Sequence, residues 1–274
     1  MKPGLRLRFF SVLKLLLPVL TLAGMLLITP NPLSAADSTY VSSYLLSYPA
    51  TALKATTAPL NWTEKDWHTA AGLVFIGTGL YIFDEELRDL VQRNRSSFTD
   101  DLATAANHFG EGKYMLPALG LTCLGGYVFD SPQTMDTALL SLKSLLLANG
   151  VSLSLKLLTQ RERPFAEKGK EFFNNSGFRE KDKSFPSGHT TIVWSVAPIL
   201  AEQYKDCKWV APTAYTIAAL TSCARINNDR HWASDVFAGA TIGYLTSQLV
   251  LKSTPRLQIL PASSPAGISF LYSF

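Results

Sequence analysis

Six apolar segments, residues 67–83, 114–129, 137–158, 190–204, 209–223 and 236–251, set the terms on which this chain can fold. None shows the strict alternation of a half-buried strand, and at 15 to 22 residues each is longer than ordinary strands. Polar, glycine- and proline-containing stretches separate them, while Pro198 and Pro212 lie within two of them, where proline kinks or starts a helix. Helices of this kind must bury their apolar surface against one another. The expectation is an all-α fold, an antiparallel helical bundle with a six-helix core. The polar stretch 84–113 between the first two segments is expected to hold one short amphipathic helix around 85–92. No repeat occurs at a solenoid period.

At 274 residues, one helical domain with terminal extensions is the natural count. Residues 1–36 read as a secretory leader. Lys2, Arg6, Arg8 and Lys14 form its basic head, 15–28 its apolar core, and Ser34-Ala35-Ala36 a small-residue cleavage site; an uncleaved anchor is the alternative. A loosely ordered lead-in is expected over 37–65, the helical domain over 66–252, and an extension over 253–274. The stretch 268–274 of that extension alternates apolar and Ser residues and reads as a strand packed on the domain. The formal charge of +4 is already used by the basic leader and by the cationic motifs below, so no nucleic-acid surface is indicated. Cys123, Cys207 and Cys223 are odd in number and lack metal-binding spacing, which points to neither a disulfide framework nor a zinc site.

Three short motifs carry chemistry. They are Lys156 with Arg163-Pro164, then Pro186-Ser187-Gly188-His189, then Arg225 with His231 and Asp235. A phosphate ester is a dianion at neutral pH and needs fixed positive charge and many donors. Arg163 and Arg225 each offer a planar fork matching two phosphate oxygens, and Lys156 adds a point charge. Ser187 and Gly188 precede an apolar run and read as a helix start, where unpaired N–H groups and the helix dipole favour an anion. Such a grip also catalyses, because phosphoryl transfer rests on positioning and charge stabilisation. His231 and Asp235 are four apart and share a face if a helix begins there; a carboxylate on one ring nitrogen frees the other to attack phosphorus. His189, beside the cradle, suits the acid that protonates the leaving oxygen. Lys156 ends the third segment and His189 opens the fourth; Arg225 follows the fifth and His231 and Asp235 open the sixth. In an antiparallel bundle all of these fall at one end, which places the active site there.

This ordered set resembles the type 2 phosphatidic acid phosphatase superfamily, which also contains bacterial acid phosphatases and vanadium haloperoxidases. The family pattern K-x6-RP, PSGH, SR-x5-H-x3-D is matched at Lys156 to Pro164, at Pro186 to His189 and at Arg225 to Asp235, within a motif core of about 137–251. The resemblance implies that His231 becomes a phosphohistidine, that Asp235 orients it and that His189 is the acid. It further implies that Lys156, Arg163, Ser187, Gly188 and Arg225 hold the phosphate. It departs from the family at Ala224, where serine is usual. No metal or other cofactor is expected, and vanadate is expected to inhibit as a phosphate mimic. The implied substrate is a phosphorylated lipid (phosphatidic acid-like, a prenyl diphosphate or lipid A). Alternatives are a broad-specificity periplasmic acid phosphatase, a vanadium haloperoxidase, or a non-catalytic binder of phosphate groups.

Most of the segments fall short of the roughly 20 residues a membrane span wants, and Lys143 and Asn149 interrupt the third. The mean hydropathy of +0.13 is low for six spans. With a cleaved leader, three spans would bring Lys156 to the cytoplasm, against the outward-facing site usual for the family's membrane branch. The expectation is therefore a protein exported to the bacterial cell envelope, periplasmic and soluble or resting on a membrane surface, with an integral protein as the alternative. Nothing in the sequence gives the oligomeric state. Outside the motifs, His68 and His108 read as structural. Arg161, Arg230 and the mixed-charge run 179–183 read as solvated, with the two arginines near enough to the motifs to touch a larger substrate.

Overall fold

The computed structural model describes residues 35–173, 183–254, 257–260 and 269–272. The basic head and apolar core expected of a leader, and residues 179–182 of the mixed-charge run, lie outside the described residues.

Each of the six apolar segments is a helix. Helix α1, Ala35–Thr57, precedes them. The first segment is α2, Glu64–Ile82, opened by a capping box in which Thr63 and Asp66 satisfy each other's backbone N–H groups. Two short helices follow, α3 at Asp84–Arg93 and α4 at Ser97–Asn107. The remaining segments are α5, Gly112–Val128; α6, Pro132–Thr159; α7, Gly188–Gln203; α8, Val210–Asn227; and α9, Ala233–Ser253. Proline at the first position of α6 fits its fixed φ to the helix start, and Gln160 in the left-handed region closes that helix.

Helix α7 is the hub and packs against α6, α8 and α9. Leu145 of α6 meets Ile192 and Val196, Val193 and Ala197 meet Ala214 and Ala218 of α8, and Ile199 joins Leu140 and Val250. The α7–α9 crossing is closer still. A Cβ on Gly239 would lie 2.5 Å from the Ser187 carbonyl oxygen, and one on Gly243 would lie 2.6 Å from that of Thr191. Backbone therefore rests on backbone, and this crossing brings the start of α9 to the start of α7. Gly243→Val should lower the free energy of unfolding by about 2–3 kcal/mol, because the added atoms have no room. Gly150→Ala in α6, where nothing lies within 4 Å, should not destabilise. Urea unfolding monitored by circular dichroism compares the two.

The structure departs from the expected lead-in. Residues 35–57 are helical, with Tyr44, Ser47, Tyr48 and Thr51 forming a polar stripe at helical spacing. The Tyr44 hydroxyl donates to the Leu139 carbonyl at 2.6 Å, and Thr51 bonds Ser253 at 3.1 Å. Lys143 of α6, fully buried, donates to Ser47 Oγ at 2.8 Å and Thr254 Oγ1 at 2.7 Å. Burial, then Lys54, draws its pKa down to about 8. A serine- and tyrosine-rich stretch reads as loose until that lysine is placed opposite it. The polar stretch after α2 holds two helices where one was expected. Within the C-terminal stretch read as a strand, the described residues Ser269–Tyr272 form β2, which pairs antiparallel with β1, Leu257–Leu260.

Candidate active site

All eight motif residues fall at one end of the bundle. Lys156 lies in the last turn of α6, His189 in the first turn of α7, Arg225 in the last turn of α8, and Asp235 in the first turn of α9. Arg163 stands in the extended connection before a short 3-10 turn at Pro164–Ala166, and His231 in the connection between α8 and α9.

His231 is 2% exposed. Its Nδ1 lies 2.8 Å from the Ser184 carbonyl oxygen, which only accepts, so the proton sits on Nδ1 and the lone pair on Nε2. Here the geometry differs from the direct His–Asp bond expected from the spacing: the nearest Asp235 oxygen is 3.9 Å from Nδ1. Asp235 instead accepts from Ser184 Oγ at 2.5 Å, from the Trp232 N–H at 2.9 Å and from Arg161 at 2.7 Å. Its own carbonyl accepts from the Ser187 N–H at 3.0 Å. The carboxylate thus ties the His231 turn to the start of α7 and supplies negative charge near the ring.

Ser187 is the N-cap of α7 and fully buried, and its Oγ accepts from Thr190 Oγ1 at 3.0 Å. The helix's own ladder begins where the Thr191 N–H donates to the Ser187 carbonyl, so the Gly188 and His189 N–H groups belong to the first turn, which the ladder leaves over. A Cβ on Gly188 would meet only Lys156 Cε, at 3.9 Å. Lys156 Nζ donates to the Lys183 carbonyl at 3.4 Å, and Arg163 donates to the Arg230 carbonyl at 3.4 Å. Arg225 donates to Asn107 Oδ1 at 2.5 Å, and its buried Nε has no hydrogen-bond partner among the described residues.

The same three cations, Lys156, Arg163 and Arg225, act on both histidine rings. Burial first, then Arg163, Lys156, Arg225 and His189, pushes His231 well below the ordinary histidine range. Burial first, then Arg225, Arg163, Lys156 and Lys113, draws His189 down to about 3. Burial and the neighbouring Arg163 and Arg230 draw Arg225 down to about 10. Both rings are therefore neutral near pH 7, and three cations crowd the site. A histidine held below its unfolded pKa takes up its proton on unfolding, so stability is lost as pH falls from about 6.5 towards 3. Phosphate should flatten that slope, because a dianion offsets the cations. Melting temperature against pH, with and without phosphate, measures it.

Several residues that frame the site were read otherwise in the sequence. Arg161 was expected in solvent; it is 2% exposed and bonds Asp235, Asp84 and Ser234. Lys183 was placed in a solvated run; it is buried and donates to Gln160 Oε1 at 3.1 Å. Arg230 is exposed as expected, over the Phe165 ring. Ser184, Asp84 and Asn107 carried no local signal, since their partners lie 51, 77 and 118 residues away. Ala224 has a structural account: it packs against Ala103 and Ala106 of α4, where the usual serine would put a hydroxyl into an all-alanine contact.

Among the described residues no group of three or more His, Cys, Asp or Glu side chains is gathered as a metal ion would need. Over 67 residues the chain is 42% identical to lipid A 1-phosphatase of Porphyromonas gingivalis, covering 24% of this chain and 15% of that protein. Over 82 residues it is 42% identical to an acid phosphatase of Zymomonas mobilis subsp. mobilis, covering 29% of this chain and 30% of that one. The chain thus spans less than a third of either curated relative. Among solved structures it resembles a transmembrane PAP2-type phosphatidylglycerolphosphate phosphatase from Bacillus subtilis, with a TM-score of 0.53 and 23% identity over 66% of this chain and 94% of that one, a likeness of fold. The PAP2 superfamily model matches residues 137–259. That segment holds all three motifs and the helix ends that carry them, and over it the chain is similar to the PAP2 superfamily.

Proposed function

We propose that this protein is a phosphatase that hydrolyses phosphate monoesters or diphosphates of a lipid through a phosphohistidine. The observation that carries the reading is the convergence of Lys156, Arg163 and Arg225 on two neutral histidines, one of which keeps its proton on Nδ1. His231 Nε2 attacks phosphorus along the line of the ester bond while the cations and the first-turn N–H groups of α7 hold the equatorial oxygens. The P–O bond breaks as His189 passes a proton to the leaving oxygen. Water then attacks phosphorus as His189 takes its proton, the P–N bond breaks with its electron pair returning to His231 Nε2, and inorganic phosphate departs. His189 is neutral in the free site, so the proton it donates must arrive with the substrate, either on a monoanionic phosphate or taken up as the dianion binds. Apparent substrate affinity should accordingly weaken as pH rises.

A lipid substrate is favoured by the exterior. Phe75 on α2 is 81% exposed and Phe129 at the end of α5 is 82% exposed, with Val74, Leu121, Tyr127 and Val128 open beside them. Helix α6 is the one helix among the described residues long and apolar enough to cross a membrane. We infer a cell-envelope protein associated with a membrane surface. Purified protein should release phosphate from phosphatidic acid or lipid A-type 1-phosphate in excess chelator, with vanadate competing. Failure on every lipid phosphate, with turnover of p-nitrophenyl phosphate, would favour the broad-specificity acid phosphatase instead.

A further inference from the structure

Asp84 and Arg161 form the most deeply buried charged cluster among the described residues, and the proposed steps use neither. Arg161 follows the left-handed cap of α6, and its neighbours are held by single antiparallel bridges, Arg161 to Phe173 and Glu162 to Lys183. Its guanidinium lies between the rings of Tyr81, 4.8 Å away, and Trp232, 5.3 Å away. NH1 donates to Asp235 Oδ1 at 2.7 Å and Ser234 Oγ at 2.8 Å, NH2 to Asp84 Oδ2 at 2.8 Å, and Nε to the Lys170 carbonyl at 3.0 Å. Asp84 is fully buried at the start of α3. It accepts from the Ser234 N–H at 2.9 Å and from Ser234 Oγ at 2.5 Å, so it serves as an acceptor for the opening turn of α9.

We propose that Arg161 and Asp84 are positioning residues for the nucleophile: Arg161 keeps Asp235 an anion beside the His231 ring, and Asp84 fixes both Arg161 and the first turn of α9. This rests on the phosphatase reading. A histidine phosphorylated on Nε2 with Nδ1 still protonated has a cationic ring, and Asp235, 3.9 Å away, is the carboxylate placed to stabilise it. Asp235 is fully buried, and burial pushes its carboxyl up from the ordinary range, against Arg161, Ser184 and the Trp232 N–H, which pull it back. The charged groups around the cluster come from every packed element: Asp84 from α3, Arg161, Arg163 and Lys170 from the connection after α6, Lys156 from α6, His189 from α7, Arg225 from α8 and His231 beside α9. Of these, Arg161 is the cation in direct contact with Asp235.

Two substitutions then act in opposite directions. Arg161→Met removes the cation, so the Asp235 carboxyl and the acid limb of kcat should both move to higher pH, by about 1–3 units. Arg161→Lys restores charge without the fork and should return the midpoint towards wild type while kcat stays low. Asp84→Asn leaves Arg161 to Asp235 alone, so the midpoint should move to lower pH. The readouts are the carboxyl 13C titration of aspartate-labelled protein, assigned with Asp235→Asn, and the pH profile of phosphate release. Midpoint and acid limb both unmoved in Arg161→Met and Asp84→Asn, with only the melting temperature changed, would overturn the proposal. If Arg161→Met does not fold, the direction seen in Asp84→Asn decides. If the wild type releases no phosphate from any substrate, the phosphatase reading fails, and the carboxyl titration still judges the positioning role.

Discussion

Phosphate release by His231→Ala should fall by at least about 10⁴-fold, because in the proposed mechanism the substitution removes the atom that bonds to phosphorus. Phosphate binding should survive, since Lys156, Arg163 and Arg225 stay where they are and a neutral ring is lost from beside them. The fold should survive as well. His231 is buried with its charge suppressed, and its direct side-chain partners are a backbone carbonyl and, at 3.5 Å, the Ser184 hydroxyl. Steady-state release, calorimetric titration with phosphate and a circular dichroism spectrum separate the three quantities. Wild-type-like turnover in the variant would remove the covalent mechanism outright, and radiolabelled phosphate held on the wild-type protein in an acid-labile bond would support it.

Arg225→Met should lower kcat/KM by about 10²–10³-fold, the scale on which a preorganised donor to developing charge acts. Its stability should move the other way. Arg225 is buried and close to Arg163 and Arg230, and the folded environment disfavours its charge enough to bring its pKa down to about 10. Removing that charge relieves repulsion, so the melting temperature should hold or rise as activity falls, the usual trade at a site built for a ligand. Asn107 would lose its partner, which limits the gain. Arg225→Lys should recover little activity, because an ammonium cannot both bond Asn107 and present a fork to phosphate. A melting temperature well below wild type would show that Arg225 is chiefly a structural residue.

What the sequence made legible was local. The six apolar segments became six helices because length and unbroken apolarity are properties of a single stretch. The eight motif residues share one end of the bundle because each sits at a segment end or in the short connection beside one. What stayed hidden was non-local. Helix α4 buries Ala103, Ala106 and Asn107, and a face of small residues does not register as apolar. The polar stretch around it frames the site end. Arg88 grips Asp229, Gln92 donates to the last carbonyls of α8, Asp100 accepts from Asn227, and Asn107 holds Arg225. Charge in that stretch reads as solvated surface until partners more than a hundred residues away are known. Arg161 is the same case: a cation two residues from a motif, whose burial depends on Asp84 and Asp235. The spacing of His231 and Asp235 suggested a direct bond between them, yet it could not show that the Nδ1–H would donate to the Ser184 carbonyl instead.

The nest of hydroxyls around Lys143 makes α1 indispensable to the middle of the bundle. A lysine in the interior is tolerable only while its ammonium keeps hydrogen-bond acceptors, and Ser47 on α1 supplies one of them. Trimming the chain past α1 would therefore do more than shorten an edge. It would leave a charge facing apolar helices with Thr254 as its remaining described acceptor, and the bundle would have to admit water or give up the proton. The helix that looks most like a tether is, by this contact, a plug.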